Sequence, residues 1–389
     1  MSSWVNAGIA VIGIDIGKNS FHVVGHDKRG AIGHRPDRNP AALQGPAVSY
    51  GVSFGRAGAA PRLDSERCRT ERKQEPALDF RTPSNPLYSA ERVREAGKIA
   101  MSATAHLPQI AKIASIPKKV AYETITAAPS SPHIGAEIGN IDLRRPLSNK
   151  QVTELQDAFA RYQVIFFRDQ KISFEDQIRV AGYFGKLGKH VGKSTISKTT
   201  ENPYVRKFHY DETSQQISGE NFHSDQSCAA IPPLGTMLYN HTIPPDGGGD
   251  TMFASMYAAY EALSDRMKTY LEGLTATHDG TRVFGPGTPV SVHPVITRHP
   301  VTGKKVIFVN QDFTAHINGL PRLEGERLLQ FLVDHCNKPE WTCRFRWTPH
   351  SIAFWDNRCT HHKAVWDYWP NVRSGYRVQV EGTDPPVAG

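Results

Sequence analysis

A series of short β-like segments fills the C-terminal part of the chain, and it limits the folds open to the chain. Each segment is apolar or alternating and is bounded by turn-forming residues. In order they read HPVIT, KKVIFVN, CRFRW, SIAFWDN and YRVQVEG, and one helical pattern, EGERLLQFLVDHC, separates the second from the third. Many short strands with turns between them are typical of an antiparallel sandwich or barrel. We therefore predict a mainly β domain with flanking helices.

The same domain starts near residue 118, after which the sequence shows regular helix and strand patterns. Helical spacing covers residues 151–163, and the strand-like VIFFR follows at 164–168. Ser173 and Asp176 form a capping-box pattern that predicts the start of another helix. Further helices are predicted at MYAAYEAL and SDRMKTYLEGL. We place this domain at residues 118–389.

Two polar motifs stand out against this β-rich background. His223 and Asp225 lie one residue apart in NFHSDQS, and residues i and i+2 of a strand share a face. A histidine pair, His361 and His362, follows 138 and 139 residues after His223. Two histidines and one carboxylate form the facial triad typical of non-haem Fe(II) oxygenases. The H-x-D pair alone is weak evidence for a metal site, because most such pairs are accidental or are surface polar residues.

A second polar group lies close to this candidate triad. Arg373 and Arg377 follow His362 by 11 and 15 residues, in a stretch whose β-rich end predicts a strand. Even spacing on a strand gives one face, and an arginine that faces a core needs an anion. A dicarboxylate cosubstrate would supply it. Arg377 could equally be an exposed strand arginine.

Residues 118–384 resemble the 2-oxoglutarate-dependent taurine dioxygenase family of the TauD/TfdA type. The motifs FHSDQS…PP…GGGDT and WDNRCTHH…Y.P..R…R stand in the family's order and separation. The resemblance implies a double-stranded β-helix (jelly roll) core. It also implies an enzyme that uses Fe(II), 2-oxoglutarate and dioxygen to hydroxylate a small organic anion, releasing succinate and CO2.

The resemblance also implies roles for individual residues. His223, Asp225 and His362 match the catalytic iron ligands, and His361 occupies the variable place before the distal histidine. Thr251 and Arg373 match the residues that bind the far carboxylate of 2-oxoglutarate. Thr251 would also fit as an ordinary threonine at the start of a strand. Asp356, Asn357 and Arg358 are interpreted as structural support for the distal histidine.

The substrate is less well specified by the resemblance. Four residues fall at places comparable to those that bind the sulfonate in taurine enzymes: His190, Phe284, Phe313 and Arg377. The family's asparagine position is Gly219 here, and Asn221 is the candidate to substitute for it. Taurine, another sulfonate, a sulfate ester or a carboxylate all stay open as substrates.

The first 117 residues differ in character from the rest. Residues 9–33 predict two strands joined by a Gly-Lys-Asn-Ser turn and resemble the opening of insertion-sequence transposases with a RuvC-like nuclease domain. Asp15 would be the metal-binding aspartate of such a nuclease, but the further carboxylates that it needs do not follow. Residues 34–117 are basic and rich in Arg, Pro, Gly and Ser, which predicts a poorly ordered linker, with one short helix after Ser89. We interpret residues 1–33 as a transposase-like fragment.

Composition excludes several classes of protein. Of the net charge of +8, residues 1–117 contribute +6, so the remaining domain gives little reason to expect a nucleic-acid partner. The five cysteines include no C-x-x-C pair, which favours a reducing compartment, and no apolar run approaches a membrane span. We expect a cytoplasmic protein with a small-molecule anionic substrate, no membrane or nucleic-acid partner, and a possible homo-oligomer.

Two alternatives use the same residues differently. A cupin-like metal-binding protein without oxygenase activity would keep the triad but would have no use for Arg373 and Thr251. A transposase-derived nucleic-acid-binding protein would rest on Asp15 and the basic N-terminal third. It would require a complete set of nuclease carboxylates.

Overall fold

The computed structural model describes residues 120–189 and 197–389, together with three short strands near the N-terminus. The chain separates into two compact units, Met1–Ser84 and Asn85–Gly389. In the first unit, β1 (Val11–Gly17) pairs antiparallel with β2 (Ser20–His26), and β3 (Ile32–Gly33) pairs with β2. The two strands predicted there are therefore present. The predicted linker at 34–117, with its helix after Ser89, lies outside the described residues.

The second unit is mainly antiparallel β structure. Its strands are β4 (Thr126–Pro129), β5 (Ala136–Gly139), β6 (Val164–Phe167), β7 (Leu187–Gly188), β8 (Ser197–Thr199), β9 (Arg206–Tyr210), β10 (Gly235–Thr242), β11 (Thr251–Ser255), β12 (Thr275–Asp279), β13 (Val290–Pro294), β14 (Ile296–Arg298), β15 (Lys305–Ile307), β16 (Thr314–Ile317), β17 (Thr342–Phe345), β18 (Ser351–Asp356), β19 (Thr360–Ala364), β20 (Arg373–Val380) and β21 (Val387–Ala388). The helices among its described residues are α1 (Asn149–Tyr162), α2 (Phe174–Gly182), α3 (Met256–Glu261), α4 (Asp265–Leu271), α5 (Thr281–Phe284) and α6 (Arg322–Cys336), with a 3₁₀ turn at Pro339–Trp341.

A large sheet and a small sheet enclose the core. The large sheet has the order β4-β5-β6-β18-β10-β20-β9-β8, with β7 also paired to β20, and the small sheet has the order β17-β11-β19. Phe166 of the large sheet stacks on Phe345 of the small sheet with ring centroids 4.0 Å apart. Phe253 of β11 contacts Trp355 of β18 in the same layer, at 5.6 Å. The predicted sandwich of antiparallel strands is therefore present.

Helices α1 and α2 cover the other face of the large sheet. Phe159 of α1 packs on Phe354 of β18 with ring centroids 4.6 Å apart. Because β18 is covered on both faces, all six of its residues are buried and its four central residues, IAFW, are a continuous apolar run rather than an alternation. Helix α2 begins with the predicted capping box, in which Ser173 and Asp176 satisfy each other's backbone N–H groups.

Two further three-stranded sheets lie around α3, α4 and α6. Their orders are β13-β12-β16 and β15-β14-β21. The predicted strand HPVIT is divided here, because Val295 separates β13 from β14. Among the residues that the structure describes, no helix has the length and apolar character needed to cross a membrane.

The buried His278 of β12 gives this region a pH-dependent stability. Burial lowers the pKa of His278 to about 3. The folded chain therefore keeps this imidazole neutral, whereas the unfolded chain takes up a proton below about pH 6.5. Between roughly pH 6.5 and 3, His278 should lower the free energy of unfolding by about 1.4 kcal/mol per pH unit.

Urea unfolding at pH 7.0 and pH 5.5 tests this expectation. His278→Asn should reduce the loss of stability between the two pH values by roughly 1–1.5 kcal/mol. His316→Asn is the matched control, because His316 lies on the neighbouring strand β16 and is exposed. An unchanged pH dependence in His278→Asn would contradict the assignment.

Candidate active site

The two histidines of the candidate triad lie directly opposite each other. His223 forms an isolated antiparallel bridge with His362, which lies on β19 of the small sheet. The N–H of His223 donates to the carbonyl of His362 at 3.1 Å, and the N–H of His362 donates back at 2.8 Å. The ring centroids are 4.2 Å apart. The fold thus brings together two side chains that are 139 residues apart in the sequence.

Asp225 completes a group of three potential metal donors. Its Oδ1 lies 3.6 Å from His223 Nε2 and 3.7 Å from His362 Nε2. The three donor atoms all lie within 4.8 Å of one another, and all three residues are buried. His223 Nδ1 lies 2.9 Å from the Asn221 carbonyl, so Nδ1 carries the proton and Nε2 has its lone pair available.

The electrostatics of the group keep the carboxylate ionised. Burial alone would raise the pKa of Asp225, but Arg377 and His362 outweigh it and hold this pKa well below its ordinary value. Burial lowers the pKa of His362 well below the usual range for histidine, and a proton on the neighbouring His223 would lower it further. An ionised carboxylate and a neutral imidazole are the forms in which these side chains bind metal ions.

A buried polar network fixes the other oxygen of Asp225. Thr236 donates its hydroxyl to Asp225 Oδ2 at 2.6 Å. Asn357 donates to Thr236 Oγ1 at 3.1 Å, and its own Oδ1 accepts from Trp355 Nε1 at 2.9 Å. The carboxylate therefore presents Oδ1 to the two histidines. Asn357 lies where the sequence interpretation put a supporting residue, although it supports Asp225 more directly than His362.

His361 is buried beside His362 but belongs to a different environment. Successive residues of a strand point to opposite faces, so His361 and His362 cannot share a metal in the manner of His223 and His362. Burial lowers the pKa of His361 to about 3, and its Nδ1 has no hydrogen-bond partner among the described residues. The structure therefore brings His362, and not its neighbour, to Asp225 Oδ1.

Arg373 lies at the start of β20 and is 3% exposed. Its guanidinium carbon lies 5.5 Å from the ring centroid of Phe208 and 5.7 Å from that of Trp347. Its Nη2 is 3.5 Å from Thr251 Oγ1, and its Nε has no hydrogen-bond partner among the described residues. A buried guanidinium held between two rings with donors to spare is suited to bind a carboxylate.

Thr251 is oriented for the same purpose. Trp347 Nε1 donates to Thr251 Oγ1 at 3.0 Å, so the hydroxyl proton of Thr251 can be donated elsewhere. Gly249, with a φ of +81°, precedes strand β11, which begins at Thr251. A Cβ on Gly249 would lie 2.9 Å from Arg373 Cδ. The glycine-rich turn thus allows the close approach of the chain to Arg373, which a larger residue would prevent.

Arg377 lies on the same strand face as Arg373 and reaches the metal-donor group. Its Nη2 is 2.5 Å from Asp225 Oδ1. Arg373 and Arg377 both line one cavity of about 360 Å³, together with His223, Asp225 and His362. The shared strand face predicted from their spacing is therefore present.

The residues predicted to bind substrate are only partly brought together. Phe284 and Phe313 line the cavity with ring centroids 5.5 Å apart. His190 lies outside the described residues. Gly219 also lines the cavity, and a Cβ there would lie 2.9 Å from His223 Cε1, so a side chain would collide with the histidine. Asn221, the candidate to substitute for a residue at 219, also lines the cavity, and its amide donates to Asp312 Oδ1 at 3.0 Å.

A second group of possible donors, His299, Asp356 and Cys359, is already satisfied. His299 Nε2 lies 3.1 Å from Asp356 Oδ2, and its Nδ1 accepts from the Thr302 N–H at 3.1 Å. Arg358 binds both oxygens of Asp356, at 2.8 and 2.6 Å. Burial raises the pKa of Cys359 well above its ordinary value, so the thiol stays protonated. This group stabilises the turn before β19, because Asp356 accepts hydrogen bonds from His299 and Arg358 and the Cys359 thiol stays protonated.

The comparisons with known proteins agree with this arrangement. The family model described as "Taurine catabolism dioxygenase TauD, TfdA family" matches residues 126–379. The chain belongs to the TauD/TfdA family. It is an enzyme of the 2-oxoglutarate-dependent dioxygenase class, and the family implies Fe(II), 2-oxoglutarate and dioxygen as its cofactors and cosubstrates.

Several relatives illustrate the range of this TauD/TfdA family. A Schizosaccharomyces pombe protein named as a candidate alpha-ketoglutarate-dependent sulfonate dioxygenase is 34% identical over 65% of the chain and 68% of its own length. A Cupriavidus pinatubonensis protein named alpha-ketoglutarate-dependent 2,4-dichlorophenoxyacetate dioxygenase is 30% identical over 62% of the chain and 92% of its own length. The crystal structure of a taurine dioxygenase from Burkholderia xenovorans matches with 34% identity and a TM-score of 0.61, covering 68% of this chain and 93% of that one. The fold is therefore of the jelly-roll class.

The residues present fit the groups that the family implies. The two Nε2 atoms and Asp225 Oδ1 converge, while the Asn221 carbonyl and Thr236 hold the other nitrogen of His223 and the other oxygen of Asp225. Arg377 also contacts Oδ1, which leaves this oxygen further lone pairs for a metal. Two imidazoles and a carboxylate suit Fe(II). The buried guanidinium of Arg373, with its unpartnered Nε, fits one carboxylate of a dicarboxylate.

Four residues of the site were not found by sequence reasoning. They are Phe208, Trp347 and Tyr368 around Arg373, and Asp312 beside His223. No periodicity or motif distinguishes these aromatic residues from ordinary core residues. The sequence carries only a weak signal that Asp312 belongs to the site, since it is a single carboxylate between polar and apolar residues in VNQDFT.

Proposed function

We propose that this chain hydroxylates a small organic anion, with His223, Asp225 and His362 as the iron ligands. The observation that carries the proposal is the convergence of three buried donor atoms in one cavity with a buried, carboxylate-free arginine. Bound Fe(II) would supply the activation of dioxygen, coupled to conversion of 2-oxoglutarate to succinate and CO2. The protein supplies geometry, charge and exclusion of water.

Arg373 and Thr251 would bind the far carboxylate of 2-oxoglutarate. Arg373 can donate through its guanidinium, and Thr251 can donate its hydroxyl because Trp347 occupies the oxygen as a donor. The rings of Phe208 and Trp347 cover the guanidinium and keep water from competing for it. These contacts would fix the direction in which the cosubstrate enters the cavity.

The substrate would occupy the part of the cavity lined by Phe284, Phe313 and Arg377. The two rings would cover its apolar part, and Arg377 would meet its anionic group. Arg377 already contacts Asp225, so it would bridge the substrate anion and the metal-ligand carboxylate. A sulfonate is the substrate class we favour, and His190 would contribute from the segment before β8. The names of the relatives, one a sulfonate and one an aryloxyacetate enzyme, both point to anions.

An anaerobic titration with Fe(II) and 2-oxoglutarate tests the proposal directly. A weak visible charge-transfer band should appear only when both are present, and succinate should form when air and a substrate are added. Taurine, an alkyl sulfonate, an alkyl sulfate ester and an aryloxyacetate form a suitable substrate panel. Absence of the band with intact protein would contradict the proposal and favour a metal-binding protein without oxygenase activity.

We propose that residues 118–389 contain the whole activity and that residues 1–33, a transposase-like fragment, and the linker at 34–117 contribute nothing to it. Every side chain of the proposed site lies after residue 189. A chain that begins at Met101 should therefore retain kcat and KM for 2-oxoglutarate within about twofold, a change of about 0.4 kcal/mol or less. Succinate formation and thermal unfolding of the two chains provide the measurement. Loss of soluble, active protein would show that the N-terminal third is needed.

A further inference from the structure

Asp312 is a cavity carboxylate that none of the roles above uses. It lies between β15 and β16, directly before Phe313, and its side chain is 15% exposed. Resting on the proposed function, we propose that Asp312 is a positioning residue that orients the metal ligand His223 from the side opposite the metal.

The contacts place Asp312 against the outer nitrogen of His223. Asp312 Oδ2 lies 3.6 Å from His223 Nδ1, while Asp312 Oδ1 accepts from the Asn221 side chain at 3.0 Å. The carbonyl of Asn221 in turn accepts from His223 Nδ1 at 2.9 Å. Asp312 therefore acts on the imidazole in two ways, through its own charge and through the residue that accepts the Nδ1 proton.

The turn that carries Asp312 is fixed from both sides. Asn310 Oδ1 accepts from the Phe313 N–H at 3.0 Å, and Asn310 Nδ2 donates to Ser227 Oγ at 2.9 Å. The ring of Phe313 lies edge-on to the ring of His223, with centroids 6.4 Å apart. The carboxylate is therefore held in place by neighbours that also contact the site, and its position does not depend on a freely moving loop.

A carboxylate behind a histidine ligand strengthens metal binding. It keeps the proton on the outer nitrogen, fixes the plane of the ring and raises the basicity of the nitrogen that faces the metal. Loss of such an outer partner typically weakens metal binding by about 10- to 100-fold. Asp225 cannot serve this purpose for His223, because it lies on the metal side of the ring.

Asp312→Asn tests the proposal, since it removes the charge and keeps the shape. We expect the Kd for Co(II), measured by anaerobic visible-absorption titration of the full chain without cosubstrate, to rise by about 10- to 100-fold. Asp312→Glu should recover part of the affinity. Glu220→Gln is the matched control, because Glu220 lines the same cavity and is exposed, and it should change this Kd by less than about twofold.

Asn221→Ala provides a second test that leaves the Asp312 carboxylate in place. Loss of its hydrogen bond should weaken Co(II) binding by roughly 3- to 10-fold. Because both residues act on one nitrogen, their effects on the Kd for Co(II) should not be independent. The Kd of the double variant should lie close to that of Asp312→Asn alone, and should not exceed the value obtained by multiplying the two separate effects. Thermal unfolding of the metal-free variants separates a loss of folding from a loss of positioning.

The possible outcomes distinguish this inference from the proposed function. Failure of the unmodified chain to bind Co(II) at one equivalent would contradict the proposed function itself. Tight binding by the unmodified chain and by Asp312→Asn alike would overturn the role of Asp312 alone. A raised substrate KM in Asp312→Asn with an unchanged Co(II) Kd would assign Asp312 to substrate binding instead. An equal rise of the Co(II) Kd in Glu220→Gln would show that the overall charge of the cavity, and not the position of Asp312, causes the effect.

Discussion

His362→Ala is expected to lower 2-oxoglutarate turnover by more than about 100-fold, because changes outside the ligand set already reduce metal affinity by about 10- to 100-fold. The imidazole Nε2 of His362 lies 3.7 Å from Asp225 Oδ1, and no other histidine of the described residues joins that donor group with His223. His223→Ala and Asp225→Ala should have effects of the same size. Succinate formation at saturating Fe(II) and 2-oxoglutarate is the measurement.

His361→Ala is the control for this first prediction. His361 is also buried and stands next to His362, so the two variants carry comparable losses of packing. We expect His361→Ala to lose some thermal stability and to keep Fe(II)-dependent turnover within about tenfold, or about 1.4 kcal/mol in activation free energy. An active His362→Ala with an inactive His361→Ala would place the distal ligand one residue earlier.

Arg373→Ala is expected to raise the KM for 2-oxoglutarate by roughly 10- to 150-fold, the equivalent of about 1.5–3 kcal/mol for a charge-assisted hydrogen-bonded pair. Arg373 is 3% exposed and its guanidinium has donors to spare, so little else in the site can replace it. Arg373→Lys should recover only part of the loss, because an ammonium lacks the planar fork that matches a carboxylate. Initial rates with 2-oxoglutarate varied at a fixed substrate concentration provide the measurement.

Arg377→Ala serves as the matched control for Arg373, since both lie on one face of β20 and line the same cavity. The substrate KM should rise most in this variant, while decay of 2-oxoglutarate without substrate should persist. Because Arg377 also contacts Asp225, a moderate loss of iron affinity is expected with it. A variant defective only toward 2-oxoglutarate would overturn this division between the two arginines.

The sequence allowed the prediction of the parts of the fold that have strong local patterns. Helices α1, α2 and α6 have apolar spacing or capping residues, and each lies within a few residues of its predicted position. Strand β18 was found from its apolar run, because burial on both faces removes polar residues. Strand β20 starts three residues earlier than predicted, since its first residues include a glycine and two polar side chains that have no strand pattern.

Other elements could not be read from the sequence for the same reason. Strands β9, β12 and β19 contain several charged or imidazole side chains, some exposed, as at Lys207 and His209, and some buried, as at His278 and His362, so these strands show no apolar pattern. Their strand conformation comes from pairing with sequence-distant partners, which no local window contains. The metal-donor residues and the two arginines were accessible from the sequence, whereas Asp312 and Tyr368 were not. Phe208 and Trp347 were not, because a ring against a guanidinium has the same sequence appearance as a ring in a core.

The reciprocal bridge between His223 and His362 also has a consequence for how the polypeptide reaches its native state. The bridge closes a loop of well over one hundred residues, and β6 and β10 likewise obtain their partner β18 from late in the chain. Such contacts are entropically costly to form early, so topologies of this kind fold slowly. A nascent chain on the ribosome cannot complete the central sheet until β20 has been synthesised. The proposed metal-binding pocket is consequently a late product of folding, and partly synthesised chains carry its first histidine and carboxylate without the residue that pairs with them.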